Sequence, residues 1–379
     1  MKIENCKLKI QPKVVVAMSG GVDSSVVAAI LKSRGYDVSG VFMKFWTPRL
    51  APLTRGKPLF ENKCCSLEAK LDAKRVAVKL GIPLYIIDAQ KEFKKKVVDY
   101  FIQGYKNGIT PNPCVECNRW IKFKFLLEKM IELKADYIAT GHYAKIKFVN
   151  SKPIRYSLMA SKDKQKDQSY FLWQLSQKQL SKILFPIGNY TKTEVRKIAK
   201  KFKLSVFNKK DSQEICFVSG ADIRGFLESR IHAERGPIIT TDGKKIGEHK
   251  GLQFYTIGQR KGIEIGGIGP FYVISKDFKS NALIVGQTEH APELFKKEMT
   301  VKNINWLNKP KRFPFKCKVK IRYGHKAMPA IVSRINANKG TNKYEYIVKF
   351  RAPQRAVTPG QSAVFYLKNE VLGGGVIEG

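Results

Sequence analysis

Acidic residues are scarce in this chain: 31 Asp and Glu stand against 70 Lys and Arg, a formal net charge of +39 over 379 residues. Such an imbalance works against a cationic partner and favours a polyanion, bound over a broad surface and with strong salt dependence. Long apolar runs are missing too. No stretch approaches the ~20 apolar residues that span a bilayer, and no amphipathic membrane helix competes with nucleic acid for the basic surface. The N-terminal MKIENCKLKIQPK lacks the apolar core of a secretion signal and the Arg/Ser bias of a transit peptide, so the cytoplasm is the expected compartment. Cysteine is sparse and odd in number, at 6, 64, 65, 114, 117, 216 and 317. That set fits poorly with a secreted disulfide framework. In a reducing compartment, clustered cysteines serve more often as metal ligands or reactive thiols. Internal repeats and low-complexity tracts are also lacking.

What is present is enough apolar sequence, 43% of residues, for two or three domains with their own cores. KVVVAM (13–18) is a short β-branched run ended by Ser19-Gly20-Gly21, which predicts a buried strand. A helix is predicted from Ser24 to Gly35 and a strand over YDVSGVFMKFW. The helix LEAKLDAKRVAVKLG and the strand IPLYIIDA follow, then the helix IKFKFLLEKMIELKA and the strand DYIATGHYAKI. This alternation predicts an α/β domain built on a parallel sheet. TKTEVRKIAKKFK opens with a capping box, Thr191 to Glu194. Beyond about residue 220, Gly-rich turns punctuate short β-like runs. From Leu294 to the end helical periodicity nearly vanishes, and 18 Lys/Arg face 4 Asp/Glu. Phe315 to Tyr323 alternates strictly, predicting a half-buried strand with Lys316, Lys318, Lys320 and Arg322 on its outer face. The expected domains are 1–220 (catalytic), 221–293 (small, central) and 294–379 (basic, all-β).

Between the first strand and the first helix lies AMSGGVDSS, Ala17 to Ser25. Gly20 and Gly21 let the backbone turn tightly and approach a ligand. The helix N-terminus behind them offers N–H donors and a positive dipole end to an anion. The string matches neither Walker A nor the dinucleotide pattern G-x-G-x-x-G. Asp23 is out of place in an anion site unless a cation such as Mg²⁺ shares it. SGGVDSS resembles the pyrophosphate-loop ATPases, which cut ATP between the α- and β-phosphates and place AMP on a substrate oxygen. An oxygen so activated is ready to be replaced by another atom.

TPNPCVECNRWIKFK (110–124) carries Cys114 and Cys117, and DSQEICFV carries Cys216. Zinc would require four tetrahedral ligands. Cys114 and Cys117 supply two and Cys216 a third, while Cys64 and Cys65 stand too close together for a typical chelate. Two thiols could instead pass a sulfur, one holding a persulfide and the other resolving it. Cys117 could also be a small buried hydrophobe. An adenylating loop in the same domain moves sulfur transfer ahead.

SGGVDSS, TPNPCVECNRWIKF, ATGHYA, KDQSYFLW, DSQEICFV, YTIGQRKG, VKIRYGH and VTPGQSAVFY, in this order, resemble the bacterial tRNA-specific 2-thiouridylases over nearly the whole chain. The resemblance implies three parts. These are an N-terminal pyrophosphate-loop ATPase domain (adenine nucleotide alpha-hydrolase-like), a small central domain and a C-terminal β-barrel. It implies ATP-dependent 2-thiolation of the wobble uridine, position 34, in tRNAs for Lys, Glu and Gln, with ATP and Mg²⁺ required. A sulfur-donor protein, a TusE-type carrier or a cysteine desulfurase, would supply the sulfur. Carried over residue by residue, the resemblance implies that Ala17, Met18, Ser19, Gly20, Gly21, Val22, Asp23 and Ser24 bind ATP, with Met43 and Gly141. Cys117 matches the nucleophile and Cys216 the persulfide carrier, a pair able to form a disulfide. Asn112, Pro113 and Cys114 align with the segment that touches the target base. His142, Lys166, Asp167, Gln168, Arg322, Tyr323 and Gln361 align with tRNA contacts.

Some members of that family carry Asp where this chain has Cys114, so no acid/base role is assigned there. Cys114, Cys117 and Cys216 could also hold an iron–sulfur cluster with one open iron site, as in some related tRNA thiolases. The persulfide relay and the cluster both stay open at this point. So do other pyrophosphate-loop enzymes, such as a tRNA lysidine synthetase or a 4-thiouridine synthetase. A basic RNA-binding protein with a silent loop is a rival of another class, which the intact Ser19, Gly20, Gly21 and Asp23 argue against.

Overall fold

Alternate valines of the first strand, β1 (Lys13–Ala17), face two different cores. Val14 and Val16 pack under one layer of helices, and Val15 under the other. Each is at most 1% exposed, and full burial of such a side chain contributes roughly 1.5–3 kcal/mol. A strand covered on both faces belongs in the middle of a parallel sheet. The computed structural model describes residues 11–48, 62, 65–211, 215–218, 223–263, 265, 270–335 and 345–378. Cys6 and Cys64 lie outside them.

After β1 come α1 (Val22–Ser33), β2 (Asp37–Lys44), α2 (Leu67–Leu80), β3 (Leu84–Asp88) and β4 (Tyr137–Ala139). Strand β1 pairs in parallel with β2 on one side and β4 on the other, and β3 pairs with β2. A short strand, Ile183–Leu184, completes the order on the far side of β4. The expected parallel α/β sheet is therefore present. Helix α1 begins at Val22, two residues ahead of the sequence expectation, so Gly21 is its N-cap. The capping box at Thr191 and Glu194 opens the helix Lys192–Lys201, as expected.

Three local expectations are corrected. DYIATGHYAKI is not one strand: β4 ends at Ala139, and Ala144–Val149 is β5. The Thr140–Tyr143 break turns the chain out of the parallel sheet. β5 then forms a hairpin with β6 (Arg155–Ala160), and β6 adds on to the C-terminal sheet through Leu158 and Met159. The helix expected from Ile121 onward starts earlier, and over Cys117–Phe125 it is wound as a π-helix. The basic strand is Phe315–Lys320, so Arg322 and Tyr323 lie in the turn beyond it rather than on its outer face.

The central part is a four-stranded sheet in the order Tyr272–Asp277, Ala282–Gly286, Gly236–Thr240, Lys245–His249. Six C-terminal strands close on themselves, because Phe295–Trp306 pairs with both Glu345–Arg355 and Glu370–Ile377. Closure removes the exposed strand edges and makes a barrel. Its core includes Val301, Val319, Val348 and Phe365, while Trp306 stacks on Phe365 at 5.3 Å. One continuous apolar cluster runs from Val15 and Cys117 through Phe226 and Leu252 to Val364 and Val371, tying the three parts together.

Candidate active site

The phosphate loop is shaped by its own residues. Gly20 has φ +71°, and a Cβ there would stand 2.1 Å from the Ala69 carbonyl oxygen of α2, so only glycine fits. The Ser19 N–H donates to Ser24 Oγ at 3.2 Å, and Ser25 Oγ donates to the Gly21 carbonyl at 2.8 Å. Gly21 caps the twelve-residue α1 without any side-chain cap, which leaves the helix N-terminus open to an anion. Gly141 closes the far wall, since a Cβ on it would lie 2.9 Å from the Ser24 nitrogen. Met18 and Met43 are buried. This cradle fits a phosphate chain.

The place of Asp23 in that cradle is explained by a residue the sequence reading missed. Lys192 Nζ donates to both Asp23 carboxylate oxygens, at 2.8 and 2.9 Å, and stands 2.8 Å from Asp211 Oδ1. Its side chain is only 13% exposed. The Tyr143 hydroxyl also donates to Asp23, at 2.9 Å, and burial together with that carboxylate pushes its pKa far above that of an ordinary phenol. Asp211 is shared by Lys166, Lys192 and Arg196. Burial alone would raise its carboxyl pKa, but Lys166 and Lys192 hold it below the usual value. The cation that Asp23 requires is thus supplied by the protein. The only available signal was the position of Lys192 at the start of a capped helix, which does not point to residue 23.

The cysteine-bearing turn is held from outside. Pro113 occupies the first turn of a short helix capped by Asn112, whose Oδ1 accepts the Val115 N–H at 3.4 Å. The Thr110 N–H donates to the Pro359 carbonyl at 3.0 Å, and Gln361 Nε2 donates to the Thr110 carbonyl at 2.9 Å. The Thr110 and Thr256 hydroxyls lie 3.0 Å apart. Loops of the barrel and of the central part both grip this turn. Cys114 is exposed, and Cys117 is 8% exposed at the head of the π-helix.

One chain of contacts joins the two halves. Asn118, next to Cys117, accepts from His142 Nε2 at 3.1 Å, and His142 Nδ1 lies 2.7 Å from the Thr140 hydroxyl. His142 is 6% exposed and packs between Phe123 and Phe185. Burial, with Lys122 nearby, holds its pKa well below the ordinary value, so the ring is neutral. His142, expected among the tRNA contacts, is buried here and links the Cys117 helix to the wall of the phosphate loop.

The remaining expected contacts divide in two. Gln168 Oε1 accepts the Tyr143 N–H, and Asp167 accepts from the N–H and hydroxyl of Ser169 and from the Ser161 N–H, so Asp167 pins the 161–169 segment and Gln168 ties it to Tyr143. The Tyr323 ring lies 4.5 Å from that of Phe171, tilted by 37°, and Lys320 sits over it. The Tyr323 hydroxyl pKa is raised by burial first and by the nearby Asp167 and Asp163 carboxylates. Arg322 donates to Thr358 Oγ1 at 2.9 Å.

Cys216 begins a single 3₁₀ turn, Cys216–Val218, and is half-buried against the same apolar cluster that holds Cys117. Phe217 fixes that turn by edge contacts with Phe93, Phe101 and Phe226. Among the described residues, no three His, Cys, Asp or Glu side chains converge in a group that could hold a metal ion. Cys114, Cys117 and Cys216 therefore do not form a ready-made cluster site.

Three family profiles match in order: "tRNA methyl transferase HUP domain" over 12–220, "tRNA methyl transferase PRC-barrel domain" over 224–287 and "Aminomethyltransferase beta-barrel domain" over 296–377. The tRNA-specific 2-thiouridylase MnmA of Shouchella clausii is 44% identical over 374 residues, 98% of each chain. That of Halothermothrix orenii is 46% identical over 370 residues, 97% of this chain and 99% of its own. A solved 4-thiouridine synthetase–RNA complex with bound ATP aligns over 54% of this chain and 45% of that one, at 19% identity and a TM-score of 0.33. That likeness carries no argument.

Proposed function

The chain belongs to the tRNA-specific 2-thiouridylase family, and on that premise we propose the route by which its residues exchange the 2-oxygen of a tRNA uridine for sulfur. The enzyme is a tRNA-uridine 2-sulfurtransferase that uses ATP. The profile descriptions speak of methyl transfer, but methyl transfer has no use for a loop that holds a leaving pyrophosphate. The observation that carries the reading is the contact chain Cys117–Asn118–His142–Thr140–Gly141, which runs from a buried thiol to the wall of an open phosphate loop.

The substrate position is the wobble uridine, position 34, of tRNAs for Lys, Glu and Gln. A stacked base is out of reach, so the nucleotide is flipped toward Asn112, Pro113 and Cys114. Gln361 supports that turn. ATP, supplied with Mg²⁺, lies against residues 17–24, Met43 and Gly141. Uridine O2 attacks the α-phosphorus, an O–P bond forms, and pyrophosphate leaves. The helix N-terminus offsets the charge on the leaving group, and Lys192 neutralises Asp23 so that no unpaired carboxylate faces it. The terminal sulfur of a Cys216 persulfide then attacks C2, and the C2–O bond breaks with loss of AMP. The Cys117 thiolate attacks the Cys216 sulfur and breaks its S–S bond, which leaves the thiouridine and a Cys117–Cys216 disulfide. An external thiol reduces the disulfide, and a donor protein, such as a TusE-type carrier or a cysteine desulfurase, reloads Cys216.

The test is anaerobic thiolation of unmodified tRNA with ATP, Mg²⁺, a small-molecule persulfide donor and a thiol reductant, with iron content read on the same sample. Turnover by iron-free protein, lost when position 34 is cytidine, is the expected result. Activity that appears only with bound iron would overturn the relay. Thiolation at another uridine would overturn the wobble assignment.

A further inference from the structure

The side chain of Trp120, three residues after Cys117, gathers three cations. Lys96 Nζ lies 4.6 Å from the ring centroid, the Arg119 guanidinium carbon 4.5 Å and Lys124 Nζ 4.9 Å. Arg119 and Lys124 are exposed, Lys96 and Trp120 half-buried. None of the three cations pairs with a carboxylate among the described residues. Glu116, the acid bonded to the ring, is buried and already taken: Oε2 accepts the Trp120 indole N–H at 2.8 Å, and Oε1 accepts Gln174 Nε2 at 3.0 Å.

Local winding produces this crowding. Residues 119 and 124 would stand about 140° apart around an α-helix, at roughly 100° per residue. In the π-helix Cys117–Phe125, closure from i to i+5 brings them to one face. Lys96 comes from a second π-helical turn, Lys94–Val98, packed against the first. Three like charges around one indole repel each other. Attraction to the ring face offsets part of that repulsion, and a bound polyanion would offset the rest.

We propose that Lys96, Arg119 and Lys124, gathered by Trp120, form a phosphate-binding platform for the RNA strand that carries the target uridine. This rests on the reading of the chain as a tRNA thiolase. Each cation takes a backbone phosphate, which positions the strand without reading its sequence. Because the platform continues the Cys117 helix, strand docking and thiol placement share one rigid element.

The experiment measures binding of unmodified tRNA against salt for wild type and for K96Q/R119Q/K124Q, whose long side chains keep their stems against Trp120. Removal of three phosphate contacts should flatten the slope of log affinity against log salt by roughly 2–3 units. Affinity should fall at least about tenfold near physiological salt, while ATP binding without tRNA stays at the wild-type level. Trp120→Leu keeps the charges and should retain most of the slope. An unchanged slope and affinity in the triple variant, with normal thiolation by wild type, would overturn the platform alone. Failure of wild type to bind or thiolate tRNA would overturn the functional reading and the platform with it.

Discussion

In the phosphate loop the shaping bonds join near neighbours: Ser19 to Ser24, and Ser25 to Gly21. In the Thr110–Cys117 turn they come from Gln361, 251 positions away, from Pro359, and from Thr256 in a loop of the central part. Local geometry of the first kind is written into a short string, although Lys192, 169 positions from Asp23, completes its charge. The second kind exists only when three domains are docked, so it can report whether they are. The loop holds a ligand that arrives by diffusion, and a fixed cradle suffices. The turn must receive a flipped base at a defined distance from a thiol, and its support comes from the same parts that would hold the tRNA.

Substitutions should separate the two. Cys117→Ser should abolish thiolation while tRNA affinity stays within about twofold. Lost affinity in a binding assay would instead assign Cys117 to structure. Gly20→Ala forces a Cβ into the Ala69 carbonyl at a left-handed φ, a strain of roughly 1–3 kcal/mol beyond the clash. It should remove ATP-dependent pyrophosphate release yet leave tRNA binding, and retained release would break the claim that the loop is built for phosphate. Lys192→Ala leaves Asp23 without its cation. The KM for ATP should rise about tenfold, equivalent to ~1.4 kcal/mol, with kcat less affected. Lys192→Arg should restore much of it, and an unchanged KM would reduce Lys192 to a structural pair.

The link between the two regions has its own signature. His142 is neutral when folded because its pKa is lowered, so the folded state binds fewer protons than the unfolded state. Its contribution to stability is therefore full above the unfolded pKa near 6.5 and declines as pH falls below it. The melting temperature of wild type should drop more steeply from pH 7 to pH 5 than that of His142→Gln, and parallel profiles would contradict a buried neutral ring. The smallest effect is expected for Gln361→Ala. Loss of one bond to the Thr110 carbonyl costs about 1 kcal/mol and should slow thiolation severalfold without changing ATP binding in the absence of tRNA.

The strand–loop–helix around Gly20, the parallel alternation and the basic all-β end were legible because each depends on neighbours within a few residues. Chain patterning could not show that DYIATGHYAKI breaks at Thr140, because the preference for strand is the same on both sides. The break is decided by β6, which needs a hairpin partner on the barrel. Alternation carried the basic strand through Arg322, but the chain turns after Lys320, and Arg322 bonds to Thr358 instead.

The sequence by itself determined the chemistry on offer: an anion-binding glycine turn, two thiol-bearing segments and a surface dominated by positive charge. All of these follow from residue type and short spacing. Only the tertiary structure decided that Lys192 neutralises Asp23, that His142 is a core link, that Cys114, Cys117 and Cys216 are not gathered as ligands, and that Trp120 collects three cations. Each of these is a contact between segments brought together by burial of a shared apolar core, and hydrophobic burial does not encode in sequence which polar groups will meet at its edge.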